Sequence, residues 1–270
     1  MADAKIGKAV LELTIDDTQY KFALGEIEKG AKDAQAHLKG ISEAVDFEVF
    51  KQLGEYAFEA FKKIGEGIIQ LGEHGSDVAD VANGFDLLSQ KVGATGDEML
   101  GKLRAGTVGT ISDFDLMKLA NSALGNGLVK SAGDMGTLAE GARLLAKRTG
   151  GDTKEAFDVL TSAMATGRTA TLKHLGVFVD AKVATDNFAA SIGKDASELT
   201  QHEKATALSQ ATLVKLKQAL AEAGPEALDF KEVLEQGKTA LANMYDQVAR
   251  GVAQSPVMMA GLNAIGKELK

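Results

Sequence analysis

Gly93–Asp180 reads GATGDEMLGKLRAGTVGTISDFDLMKLANSALGNGLVKSAGDMGTLAEGARLLAKRTGGDTKEAFDVLTSAMATGRTATLKHLGVFVD, and its punctuation decides the fold. Short amphipathic runs alternate with glycine breaks. Thr95-Gly-Asp-Glu98 has the form of a capping box and opens a helix through Leu100 and Leu103. A glycine turn at Gly106 and Gly109 precedes Ser112, which opens a helix carrying Leu116, Leu119, Ala120, Ala123 and Leu124. The next helix carries Met135, Leu138, Ala142 and Leu145 and stops at Thr149-Gly-Gly151. Asp152 opens another, with Ala156, Leu160 and Ala163 facing inward, and Gly176 closes a short helix holding Leu172 and Leu175. Just upstream, Val78, Val81, Phe85, Leu88 and Val92 make one further helical stripe. The expectation is a compact helical domain over residues 76–180.

Composition points the same way. Only 5% of residues are aromatic, there is no Trp, and the 2 prolines stand at Pro225 and Pro256. Helix interiors exclude proline, and sheets favour aromatic residues, so the chain is expected to be mainly helical. Its core must then be Ala, Leu, Val and Ile, packed through close helix contacts. The net charge of −8 comes without a run of five basic residues, which argues against a nucleic-acid partner. With no Cys there are no disulfides, thiolate metal sites or cysteine nucleophiles. No window of 18 apolar residues occurs, so no membrane-spanning segment is expected.

Residues 1–75 change pattern. Ala9–Ile15 alternates with period two and predicts one short β-strand. Asp16, Asp17 and Thr18 then supply helix-start oxygens. Tyr20, Leu24, Ile27, Ala31, Ala34, Leu38, Ile41 and Val45 follow in alternating steps of 4 and 3. A second series in the same rhythm runs Phe47, Phe50, Gly54, Ala57, Phe61, Ile64, Ile68 and Leu71. Seams this narrow suit either an intramolecular helical hairpin or a coiled coil with another copy. The candidate self-association seam is Tyr20, Leu24, Ile27, Leu38, Ile41, Phe50, Phe61, Ile64, Ile68 and Leu71.

Residues 181–270 return to longer helices. Val183–Ile192 predicts one helix, and Thr200-Gln-His-Glu203 is a capping box for a long helix to about Glu222. Gly224-Pro225 breaks it. A last long helix is expected from about Glu226 to Gln254, with Leu234, Gly237, Leu241, Met244 and Val248 on one stripe. The fold class is thus mainly α: long heptad-patterned helices flanking a compact multi-helix domain, with one short N-terminal strand.

No constellation proposes a reaction, a metal or a cofactor. Gly96-Asp-Glu-Met-Leu-Gly101-Lys102 follows the spacing of a phosphate-binding loop until Leu103 stands where Ser or Thr is needed. Two acidic residues sit where phosphate oxygens would lie. The histidines at 37, 74, 174 and 202 are scattered and expected at the surface or at its boundary. Arg143, Lys147 and Arg148 read as a cationic last helical turn that complements the helix dipole.

The combined pattern resembles the N-terminal portion, or a short member, of the phage and prophage tail tape measure proteins. The opening Ile6–Leu13 strand, the Asp-Asp pair and the heptad helix resemble the start of that family. Gly109–Leu116 with Asn121, Leu144–Gly150, Gly167-Arg168 and Leu172–Val177 leading to Val179-Asp180 resemble its compact helical region. Ala190–Lys194, Glu198–Thr200 and Glu203-Lys204 continue the match. The resemblance implies structural work without catalysis or cofactor, in which a helical polypeptide fills the lumen of the growing tail tube and sets its length. It implies other copies of the chain, the tail tube protein and tail assembly chaperones as partners. The implied location is the virion, with the bacterial cytoplasm during assembly. As one unbroken helix, 270 residues would reach about 400 Å. The competing reading is a non-enzymatic helical interaction protein, or a helical effector acting on a membrane through the amphipathic Phe58–Leu71.

Overall fold

A computed structural model describes residues 68–225 and 227–255. The N-terminal strand and most of both heptad series lie outside these residues. Those described form nine α-helices and one 3₁₀ turn, with no strand among them. The chain is mainly helical, as its composition implies.

α1 (Ile68–Lys91) leads into α2 (Gly96–Gly106), α3 (Asp113–Gly125) and α4 (Ala132–Thr149). α5 (Thr153–Thr166), the single-turn α6 (Thr169–His174) and α7 (Ala181–Ser191) follow. A 3₁₀ turn (Ala196–Glu198) leads to α8 (Gln201–Ala223) and α9 (Phe230–Gln254). Local chemistry sets these starts. Each cap side chain accepts a backbone N–H that the first helical turn would leave unpaired. Thr95 accepts from Glu98 N, Ser112 from Asp115 N, Ser131 from Asp134 N, and Asp152 from both Lys154 N and Glu155 N. At Thr200 the capping box is complete, because the Glu203 carboxylate also accepts the Thr200 N–H at 2.8 Å.

One boundary differs from the sequence expectation. The last helix starts at Phe230 instead of Glu226. Asp229 accepts the Glu232 N–H at 2.9 Å, and Glu232 accepts the Asp229 N–H at 3.1 Å. Gly224-Pro225 offers no such reciprocal cap, so the helix waits for the first residue that does.

α4 runs through the middle of the core and packs against α2, α5 and α8. Its Met135, Leu138, Ala139, Ala142 and Leu145 are fully buried, beside Met99 and Leu103 of α2 and Phe157 and Leu160 of α5. Small residues let the backbones close. At Gly106, a Cβ atom would sit 2.7 Å from the Ala139 Cβ and 2.9 Å from the Glu140 N, so only glycine fits the α2–α4 crossing. Leu208, Leu213 and Leu216 of α8 belong to the same cluster, so the core runs across residue 180, where the change in sequence pattern had suggested a boundary.

α9 stands apart from this core. Leu241 with Met244, and Val248 with Ala249, form two small clusters of their own. Its main packing partner is α1. His74 and Gly75 near the start of α1 meet Asp246 and Ala249 near the end of α9.

Candidate functional site

The feature that distinguishes this molecule from a plain helical bundle is the α1–α9 pair and the polar contacts that fasten it. Besides Gly72, α1 presents Gly75, Val78, Phe85 and Ser89 as buried residues, with Ala82 partly buried between them. These positions step by 3, 4, 3 and 4. The same rhythm, carried back one step of 4 from Gly75, lands on Leu71. The buried face of α1 therefore keeps the frame of the second heptad series.

Of the candidate seam, Tyr20, Leu24, Ile27, Leu38, Ile41, Phe50, Phe61 and Ile64 lie outside the described residues. Ile68 and Leu71 fall in the first turn of α1.

Where α1 and α9 cross, contact is too close for a side chain on Gly75. A Cβ there would lie 2.0 Å from the Ala249 carbonyl oxygen and 2.9 Å from the Ala253 Cβ. Beside it, His74 Nε2 donates to Asp246 Oδ1 at 2.6 Å. The imidazole sits edge-on to Phe114 of α3, with ring centroids 5.4 Å apart, and tilted against Tyr245 at 5.2 Å. Burial pushes the Asp246 carboxyl above its ordinary value. The charges of Asp115 and Asp113 push the same way, and His74 opposes them. Each of those two aspartates has its own cation. Arg104 grips Asp113 with two hydrogen bonds of 2.8 and 2.6 Å, which raises its own pKa, and Lys154 lies 2.9 Å from Asp115.

A second fastening holds the start of α9. Arg143 of α4 donates to Glu232 through Nε at 2.6 Å and through Nη2 at 3.2 Å. Lys147 Nζ lies 3.1 Å from the same carboxylate and donates to the Ala227 carbonyl at 2.7 Å. Burial pushes the Glu232 carboxyl up, but the hydrogen bonds from Arg143, the Asp229 N–H and Lys147 outweigh it and leave it lowered. This corrects the reading of Arg143 and Lys147 as dipole partners alone: both reach across to α9. Between the two fastenings, Gln236 donates to the Val108 carbonyl, and Asn243 accepts the Asp113 N–H at 2.8 Å.

Sequence reasoning missed these contacts. His74 and Asp246 are 172 residues apart, and Arg143 and Glu232 are 89 apart. No local spacing signals either pair. The nearest sequence clue is Glu232 itself, an acidic residue at the third position of a helix, which reads as a cap and nothing more.

The chemistry open to this arrangement is fastening. A His–Asp pair is part of many hydrolytic sites, but it needs a nucleophile against the imidazole. Here the walls of the ring are Phe114 and Tyr245. Beside the pair lies a polar cavity of about 310 Å³, whose lining includes Asp86, Asp97, Asp113 and Asp246 against Arg104 and Arg250. Carboxylates outnumber guanidinium groups, and Arg104 already serves Asp113, so an anionic ligand has little to gain there. At the loop with phosphate-binding spacing, the Asp86 carboxylate leaves 1.7 Å for a Cβ on Gly96, placing negative charge where a phosphate would sit. Among the described residues no group of three His, Asp or Glu has the geometry to hold a metal ion. Nor is any helix among them long and apolar enough to cross a membrane. No family model, curated protein or solved structure matches this chain.

Proposed function

We propose that this chain is a structural phage tail-assembly protein of the tape measure class, which fills the tail tube and sets its length. Its partners in this reading are other copies of itself, the tail tube protein and the tail assembly chaperones. The observation that carries the reading is the shared frame of α1 and the second heptad series. α1 buries Gly75, Val78, Phe85 and Ser89, positions in the same 4-3 rhythm as Ile64, Ile68 and Leu71. A compact helical body joined in frame to an apolar seam suits a protein whose work is extent and shape. The sequence resemblance supplies the rest of the reading.

Tail length is the test. Each heptad removed between Tyr20 and Leu71 should shorten assembled tails by about 10 Å, the rise of seven helical residues. Electron micrographs of tails from two- and four-heptad deletions should show steps in proportion. Tails of unchanged length would overturn the proposal.

A further inference from the structure

We infer that the His74–Asp246 pair is a proton-dependent clamp on the crossing of α1 and α9, closed when the imidazole carries a proton and loosened when it does not. This inference stands independently of the tail reading. It rests on where the pair sits and on what surrounds it.

Asp246 is largely buried, with its side chain 13% exposed, and among the described residues its partner cation is His74 at 2.6 Å. The groups facing the pair are known from each helix packed against it. α3 contributes Asp113, Asp115 and the Phe114 ring, over which Lys118 lies with its Nζ 5.2 Å from the centroid. α9 contributes the Tyr245 ring, with Arg250 in the lining of the adjacent cavity. From α2, Arg104 is spent on Asp113, and from α5, Lys154 is spent on Asp115. On α1 itself the nearby titratable groups, Glu73 and Asp77, are exposed carboxylates.

Histidine is the side chain whose charge ordinarily changes between pH 5 and 8. Protonated, it supplies a charge-assisted hydrogen bond to a carboxylate in poor solvent contact. Neutral, it still donates one N–H, but the carboxylate is left uncompensated beside two other acids. The sign follows: acidification through the imidazole range tightens the crossing, and alkalinisation relaxes it. At the crossing Gly75 lies against Ala249 and Ala253. The clamp thus governs how firmly α9 is held on α1.

Hydrogen exchange on the full chain tests this. Amides of residues 244–254 are followed against core amides of residues 208–216, at about pH 5.5 and about pH 8, after correction for intrinsic exchange. The wild-type ratio of protection should fall roughly fivefold between the two conditions, the scale of a half-buried ion pair. His74→Gln should abolish that dependence, and His74→Lys should keep the segment protected at both values. A wild-type ratio that does not change, or a His74→Gln variant with the wild-type dependence, would overturn the inference. Should the variants fold poorly, proton NMR of the wild-type chain decides. Resonances of the Phe114 and Tyr245 rings must follow the His74 titration, and rings indifferent to it would equally overturn the clamp.

Discussion

At Val108 the backbone takes φ of +48°, a conformation that a β-branched side chain strongly disfavours. It follows the end of α2, where Thr107 caps the helix and the Gly109 N–H bonds back to the Arg104 carbonyl at 3.0 Å. That pattern calls for a left-handed residue, usually glycine, one place after the cap. The sequence places glycines at 106 and 109 instead, so the reading of a glycine turn found the turn and missed the residue under strain. The Val108 carbonyl is held by Gln236 of α9, which helps keep the strained residue in place. Val108→Gly should therefore raise stability by about 1 kcal/mol, measured by urea denaturation. Glu232 gives a prediction of opposite sign. Glu232→Gln leaves Arg143 and Lys147 facing an amide in a buried setting and should cost about 2–3 kcal/mol. Because the folded carboxyl is held below its ordinary 4.5, its contribution is present above that value and fades as pH falls through the folded pKa. The gap between wild type and variant in thermal denaturation should thus be widest near neutrality and narrow in acid.

The helices themselves are set by two kinds of information, and only one of them is local. Ser112, Asp152 and Thr200 could be read as helix starts because a cap acts within three residues. Ala and Leu stripes told which faces turn inward for the same reason. What could not be read is how α9 lies on α1, because that depends on a backbone approach between residues more than 170 positions apart. Gly75 carries that information, yet in sequence it is one glycine among 30. The crossing makes two glycines separable by experiment. Gly75→Val must drive the α1 backbone away from the Ala249 carbonyl, and should cost about 3 kcal/mol while hydrogen exchange of α9 accelerates ahead of the core. Gly101→Ala, in the exposed interior of α2 with nothing within 4 Å of the new methyl, should instead stabilise by about 1 kcal/mol. If both substitutions behaved alike in denaturation, propensity and not packing would be setting the α1–α9 contact.

On the scale of the whole molecule, the pairing of α1 with α9 brings residues 74–75 against residues 246–253. In the proposed function, length is carried by the heptad series of residues 20–71. The arrangement is open to measurement because the chain has no Cys, so two introduced cysteines can be labelled without background. Glu73 and Gln254 are exposed and stand near the crossing, whereas Lys91 is exposed at the far end of α1. From Glu73 to Lys91 is about 27 Å along a helix axis. Donor and acceptor dyes on Glu73→Cys and Gln254→Cys should therefore show strong energy transfer, and dyes on Lys91→Cys and Gln254→Cys clearly weaker transfer. A reversed order would mean that the start of α1 does not meet the end of α9. Weak transfer from both pairs would mean that the two helices do not pair as described.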